Sequence, residues 1–282
     1  MTLYKGFMKQ KIIFQSSLPR AGSTVLQNIF AQNPNFFVTP SSPLASLVFG
    51  FRTVFTVNET RKTSGGDIYN KPFLQFCKKG IKGYVKSLTH KPYFLDKGRD
   101  WIVDPQFVTS LFPKWKMICL VRDLRDVASS FEVLHRKKSY LDSDYGNGFN
   151  VGEGINTEDR ASLVFQSKPM RNILSGIKEH ITVPNTVKNI LFVKYEDLCA
   201  DPNTTLDKIY NFLTIPSFSH NFQKIKQITK ESDTHSPIAI DHTIRKKIEI
   251  SKNNHINILP SHINEEIYFN YKWYFDYFGY HK

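Results

Sequence analysis

Cysteine is scarce. Cys77, Cys119 and Cys199 stand far apart among 282 residues, and no CxxC pair occurs. An odd, scattered set excludes a disulfide framework and fits a reducing, cytoplasmic setting. Long apolar runs are missing too. The most apolar stretch, 44–51, is broken by Ser46 and Gly50 and is far short of the ~20 residues that span a bilayer. The start, Met1 to Lys11, is polar and basic without an apolar core, so no secretory leader is expected. The nine histidines form no HxH or HxxxH cluster, and no catalytic metal is expected. No glycine-rich stretch runs into Gly-Lys-Ser/Thr, which argues against the ordinary loop of nucleotide kinases. Internal repeats and low-complexity segments are absent as well.

What is present is charge and a substantial apolar fraction. The net charge is +13 and hydrophobic residues make up 40%. The first favours anionic partners, such as nucleotides, phosphates, nucleic acid or acidic glycans. The second marks a globular chain. The length fits one α/β domain over residues 1–282. A nucleic-acid-binding protein would share the charge, but no recognisable binding motif accompanies it. The many Tyr and Phe residues fall in apolar runs that read as core.

Short apolar runs alternate with helical periodicity. Strands are expected at 12–14, 36–38, 93–95, 117–121 and 190–193, and helices at 24–32, 124–137 and 204–213. Such alternation predicts an α/β fold with a central, mostly parallel sheet flanked by helices. A mostly helical insertion is expected at about 42–91, interrupted at Ser64-Gly65-Gly66. Residues 139–159, rich in Gly, Asn, Asp and Ser, read as a long loop of the kind that forms lids or binding loops.

Two segments carry anion-binding chemistry. In Phe14-Gln15-Ser16-Ser17-Leu18-Pro19-Arg20-Ala21-Gly22-Ser23-Thr24 a buried strand enters a small-residue turn that opens into a helix. The first N–H groups of such a helix lack internal partners and suit an anion. Gly22 permits close backbone approach. Ser23 and Thr24 offer hydroxyls and capping capacity, and Arg20 offers a charged donor. A plain strand–turn–helix corner with a capping hydroxyl explains the segment equally well. The second segment is Val121-Arg122-Asp123-Leu124-Arg125-Asp126-Val127-Ala128-Ser129-Ser130-Phe131. Arg122 falls at the C-terminal end of a buried strand, where ligands collect in open α/β sheets. Ser130 follows two helical turns later, so the pair can hold one phosphate. The alternative, preferred for Arg125, is an ion pair with Asp123 or Asp126.

Taken in order, these segments resemble the sulfotransferases that use 3′-phosphoadenosine 5′-phosphosulfate (PAPS). A third segment, Phe192-Val193-Lys194-Tyr195-Glu196-Asp197-Leu198 followed by Asp201-Pro202, is similar to the family's strand-then-loop element near the adenosine. The resemblance implies a P-loop-like fold, no metal and no covalent intermediate. It also implies roles: Arg20, Ala21, Gly22, Ser23 and Thr24 at the 5′-phosphosulfate, Arg122 and Ser130 at the 3′-phosphate, and Tyr195 beside the nucleotide. PAPS would leave as 3′-phosphoadenosine 5′-phosphate (PAP), and a hydroxyl-bearing acceptor would take the sulfuryl group by in-line displacement. Carbohydrate, small alcohol and tyrosine all remain open as acceptors. A P-loop-type nucleotide kinase and a non-enzymatic nucleic-acid-binding protein are the competing readings. Specific nucleic acid and a membrane span are not expected, and the oligomeric state is not legible.

Charge spreading over sulfuryl and bridging oxygens calls for positioned cations. Phe94-Leu95-Asp96-Lys97-Gly98-Arg99 leaves a strand and is similar to an Asp/Asn-Lys element of several sulfotransferases, including tyrosyl-protein enzymes. That makes Lys97, with Arg20, a candidate catalytic cation; the alternative is a solvated loop lysine. Residues 228–235 resemble the late segment whose serine, here Ser232, contacts the cofactor. Arg245 and Lys247 in the following basic stretch would close over the nucleotide, unless they form a solvated face. The general base is not legible. The tyrosyl-protein enzymes carry a Glu shortly after the first helix, whereas here 38–43 reads Val-Thr-Pro-Ser-Ser-Pro without a carboxylate. Asp96, Asp233, His235 and His242 are the candidates.

Overall fold

The computed structural model describes residues 10–63, 65–137, 156–183, 187–231, 243–249 and 255–282. Its centre is a five-stranded sheet in the order β2-β3-β1-β4-β5. The strands are β1 (Lys11–Ser17), β2 (Phe36–Ser41), β3 (Tyr93–Lys97), β4 (Met117–Val121) and β5 (Ile190–Lys194). Every pairing is parallel. Each expected strand lies inside an observed one, and a strand buried on both faces reads as an unbroken apolar run. β4 is the limiting case, with all five residues buried.

The crossovers are helical. α1 (Ser23–Phe30) links β1 to β2. Between β2 and β3 lie α2 (Leu44–Val57), α3 (Glu59–Thr63), a 3₁₀ turn at Gly66–Tyr69 and α4 (Asn70–Leu88). A further 3₁₀ turn, Arg99–Ile102, and α5 (Pro105–Leu111) lead to β4, and α6 (Leu124–Lys137) follows it. α7 (Thr157–Gln166) and α8 (Lys168–Thr182) precede β5. Beyond β5 come α9 (Tyr195–Ala200), α10 (Pro202–Leu213), α11 (His255–Ile258), α12 (Ser261–Asn270) and α13 (Lys272–Phe278). The long loop read at 139–159 lies outside the described residues as far as 155. Its last three residues, Thr157 to Asp159, already belong to α7, which Asn156 and Asp159 close with a capping box.

The core joins sheet and helices. Ile13, Phe94, Leu95 and the whole of β4 pack with Leu26, Ile29 and Phe30 of α1, and Trp101 packs against Phe14 with the rings tilted and their centroids 4.4 Å apart. β1 stands at the centre, with β3 on one side and β4 on the other, so the C-terminal ends of these strands face a common crevice. Among the described residues no helix is long and apolar enough to cross a membrane.

Candidate active site

The turn after β1 is held from below and open above. Leu18 and Ala21 are fully buried, and Leu18 N–H donates to the Leu120 carbonyl of β4 at 3.0 Å. Arg20 (φ 61°) and Gly22 (φ 83°) both take left-handed backbone. At position 22 only glycine fits, because a Cβ there would lie 2.6 Å from Tyr195 Cδ2 as well as demanding that φ. Gly22 occupies the cap position of α1 and brings no side chain to close it. The expectation that Ser23 or Thr24 caps this helix is therefore corrected: both stand inside it. The result is an uncapped helix start, with its N–H groups and dipole turned to the crevice.

Arg122 supplies the second anchor. Its Nη1 donates to the Arg20 carbonyl at 2.9 Å, its guanidinium lies 4.8 Å from the Tyr195 ring centre, and Asp126 approaches to 4.0 Å. Its Nε is buried without a hydrogen-bond partner among the described residues. Arg20 Nε reaches across to Ser130 Oγ at 3.0 Å, so loop, strand end and helix meet. Behind them the chain's end acts as a brace: the Tyr274 hydroxyl accepts from Arg122 N–H at 3.3 Å and donates to the Arg122 carbonyl at 2.9 Å. Full burial pushes the Tyr274 phenol well up. Arg125 is turned away from the crevice into the ion pair read from sequence, two bonds of 3.0 and 2.7 Å to Asp123.

These groups line one cavity of about 420 Å³. The loop contributes Arg20, Gly22, Ser23 and Thr24, and the second anchor contributes Arg122 and Ser130. Tyr195 adds its ring, and Arg245 and Lys247 come from the 243–249 segment. Backbone bonds from Ile225 N–H to Lys246 O (2.7 Å) and from Ile248 N–H to Phe222 O (3.2 Å) dock that segment. Burial raises the Tyr195 phenol to about 12, with Cys199 adding to it and Arg122 and Arg245 opposing. Ala21 is buried beneath the loop rather than among the lining residues.

Lys97 is not among the cavity-lining residues but reaches one that is, Thr24. A register irregularity between Val38 and Ser41 sets Ser41 opposite Lys97 across the β2–β3 pair. Lys97 Nζ donates to Thr24 Oγ1 at 3.0 Å and forms an ion pair with Glu231 Oε1. The Ser41 hydroxyl donates to the other carboxylate oxygen of Glu231 at 2.9 Å. The Lys97 and Glu231 side chains are each only 6% exposed. Asn28, fully buried on α1, fixes the approach of this segment: its Oδ1 accepts from Ile228 N–H (2.5 Å) and Thr229 N–H (3.1 Å), and its Nδ2 donates to Thr229 Oγ1 at 2.8 Å. Arg99 also lines the cavity. Burial lowers its guanidinium pKa, with Glu231 and Asp100 opposing.

Asp96 alternates to the other face of β3 from Lys97. It is fully buried, and Trp101 Nε1–H donates to its Oδ2 at 2.7 Å. Burial raises its carboxyl to about 6, against the Ser42 and Trp101 hydrogen bonds. Ser232, Asp233, His235 and His242 lie outside the described residues. Sequence reasoning did not nominate Glu231, Arg99, Asn28 or Tyr274. Arg99 and Glu231 sit inside motifs already singled out; Asn28 and Tyr274 carry no local signal, since their partners are about 200 and 152 residues away in sequence. Among the described residues no group of three or more His, Cys, Asp and Glu side chains is placed to hold a metal ion.

Comparison with known proteins agrees with this geometry. A family model described as a sulfotransferase domain matches residues 10–258. No curated protein matches the chain at the sequence level. Among solved structures, the sulfotransferase domain from the curacin biosynthetic pathway superposes with a TM-score of 0.51 at 18% identity, covering 94% of this chain and 98% of that one. Sulfotransferase STF9 from Mycobacterium avium gives a TM-score of 0.51 at 14% identity, covering 95% and 77%. At these identities the likeness is one of fold.

Proposed function

The chain belongs to the sulfotransferase domain family, and from that membership we propose that it transfers the sulfuryl group of PAPS to a hydroxyl-bearing acceptor, a carbohydrate, small alcohol or tyrosine, by direct in-line displacement. One observation carries the donor assignment: a single cavity is lined by two sets of anion donors, one on the turn after β1 and one at the β4–α6 junction. At one, the uncapped start of α1 and Arg20 suit a 5′-phosphosulfate. At the other, Arg122 presents a buried N–H without a partner among the described residues beside Ser130. A donor with phosphates at both ends of its nucleoside satisfies both, while one with a 5′-phosphate alone leaves the second anchor unmatched, and a buried charged donor left unmatched is costly. The cradle at Gly22, which any Cβ would fill, fits the same reading.

In this reading Arg20, Lys97 and Arg99 meet charge on the sulfuryl and leaving oxygens, so no metal is required. Tyr195 walls the nucleotide from Gly22 to Arg122, and Arg245 and Lys247 cover it. By the family resemblance Ser232, which lies outside the described residues, would contact the cofactor. The setting is cytoplasmic, in keeping with three free cysteines. Residues 1–282 act as one unit, with the helices between β2 and β3 as an insertion near the acceptor side.

The decisive measurement is a melting curve with PAP against one with 5′-AMP at equal concentration. A ligand held only by the native state adds about 2.7 kcal/mol at a hundredfold excess over Kd. PAP is expected to raise Tm by several degrees and 5′-AMP by much less. Equal shifts would remove the 3′-phosphate role of Arg122 and Ser130.

A further inference from the structure

The most apolar stretch of the chain, 44–51, is too short to span a bilayer, and the fold does not bury it whole. It opens α2, whose core side is Leu44, Ala45 and Val48. Leu47, Phe51 and Val54, at i, i+4 and i+7, form a second apolar stripe on the same helix, exposed by 46%, 46% and 63%. A helix that is apolar on every side belongs in a core or in lipid, yet α2 lies at the surface. Its one charged residue, Arg52, is taken up by Asp104. Phe76 of α4 extends the stripe: it is 58% exposed and meets Phe51 edge to face, with ring centroids 5.5 Å apart. Phe55 stacks on Phe73 at 4.1 Å and fastens the same two helices together. Among the described residues, eight of the thirteen exposed large apolar side chains lie between 47 and 88. That concentration makes a patch, and patches mark interaction sites where scattered residues do not.

Charge beside the patch selects the partner. α4 carries Lys71, Lys78, Lys79, Lys82 and Lys86 and no acidic residue. Lys79, Lys82 and Lys86 follow at three- and four-residue steps and share one side of the helix, and Lys79 stands three residues from Phe76, so ammonium and ring are surface neighbours. Between 42 and 91 the chain has nine Lys and Arg against two Asp and Glu, so less than a fifth of the residues holds +7 of the net +13. Such a face repels its own copy, because a symmetric pairing would set the lysines against one another. It fits a surface that offers apolar volume and negative charge together. An anionic bilayer does both: aromatic and aliphatic side chains enter the headgroup–acyl boundary while lysines keep their heads among the lipid anions.

We propose that the α2–α4 face docks the protein on anionic membranes. Leu47, Phe51, Val54 and Phe76 enter the boundary, the α4 lysines meet the lipid headgroups, and no segment crosses the bilayer. The face is linked directly to the crevice: Ser42 N–H donates to the Lys97 carbonyl at 2.8 Å, two residues before α2 begins. Docking through α2 therefore holds the C-terminal ends of β2 and β3 close to the membrane surface.

The test is flotation of the full chain with two kinds of vesicle, phosphatidylcholine alone and phosphatidylcholine with about one third phosphatidylserine. Wild type should float with the anionic vesicles and stay behind with the neutral ones, and added salt should weaken the binding. Lys79→Gln combined with Lys82→Gln should lower partitioning roughly tenfold or more. Phe51→Ser combined with Phe76→Ser should lower it about tenfold as well, with Tm near wild type because both rings are already exposed. Wild type that ignores anionic vesicles would overturn the proposal, as would a lysine variant that floats like wild type. A phenylalanine variant that floats like wild type would reduce the binding to charge alone and overturn it too. A dimer in solution that the phenylalanine variant breaks would give the face to a second copy instead.

Discussion

Arg122 and Arg125 stand three residues apart at the start of one helix, and their partners divide them between ligand and fold. Arg122 touches the turn after β1 through the Arg20 carbonyl and keeps a buried N–H without a partner among the described residues. Arg125 is saturated by the Asp123 carboxylate and by the His281 carbonyl at 2.7 Å. Replacing Arg122 by Ala should therefore weaken PAP binding by about 1.5–3 kcal/mol, the worth of a charge-assisted contact. Arg125→Ala should leave PAP affinity within a few fold but lower Tm, because it strands the buried Asp123 carboxylate, a loss of about 3–5 kcal/mol. Calorimetric titration and melting curves of the two variants separate these effects. The reverse order of affinities would mean that the 3′-phosphate anchor has been placed on the wrong arginine.

At the scale of elements, α8 gives a prediction whose sign is set by packing. Alanine normally gains about 0.5–1 kcal/mol over glycine in a helix interior. At Gly176 a Cβ would lie 2.4 Å from the Ile102 carbonyl oxygen and 2.9 Å from its carbon, and backbone there cannot swing aside as a flexible side chain would. Gly176→Ala should destabilise the protein by about 1–3 kcal/mol, seen as a lower denaturant midpoint with the same slope. A gain in stability would mean that α8 is free to back away from the 99–102 turn. The same helix shows why the sequence was only partly legible. The strands were readable because burial on both faces leaves unbroken runs such as Met117–Val121. The turn between β1 and α1 and the place of Arg122 after β4 were readable because strand, turn and helix follow one another locally. α8 was not assigned, although Met170, Ile173, Leu174 and Ile177 keep helical spacing, since Gly176 interrupts the pattern in the middle. Glu231 was beyond local reading altogether. It meets Lys97, 134 residues away, beside a clamp at Asn28 that in sequence is one more polar residue on an amphipathic helix.

Across the whole molecule, buried titrating groups give stability a pH dependence with opposing parts. His180 is fully buried, and burial lowers its pKa to about 4 against a hydrogen bond to the Ile102 backbone. His220, partly exposed, is lowered the same way. The unfolded chain takes up these protons first, so stability falls as pH drops from about 6.5 toward 4. For His180 this amounts to about 2 kcal/mol by pH 5. Asp96 runs the other way. Burial raises its folded pKa to about 6, so the folded chain binds the proton more readily than the unfolded one. Its stabilising effect is complete below the unfolded carboxyl pKa and is lost as pH rises through 6. Above pH 6 the protein carries an ionised, buried carboxylate at a cost of up to about 3 kcal/mol. Asp96→Asn keeps an oxygen to accept from Trp101 Nε1 and removes the titration. The variant should be more stable than wild type at pH 7–8, by an amount that shrinks steadily below pH 6 and approaches zero near pH 4. The acid-side loss from His180 should persist in it and look steeper, since Asp96 no longer offsets it. Chemical denaturation of the two proteins across pH 4–8 measures the difference directly. A stability gap that does not change with pH would show that Asp96 titrates alike in the folded and unfolded chains.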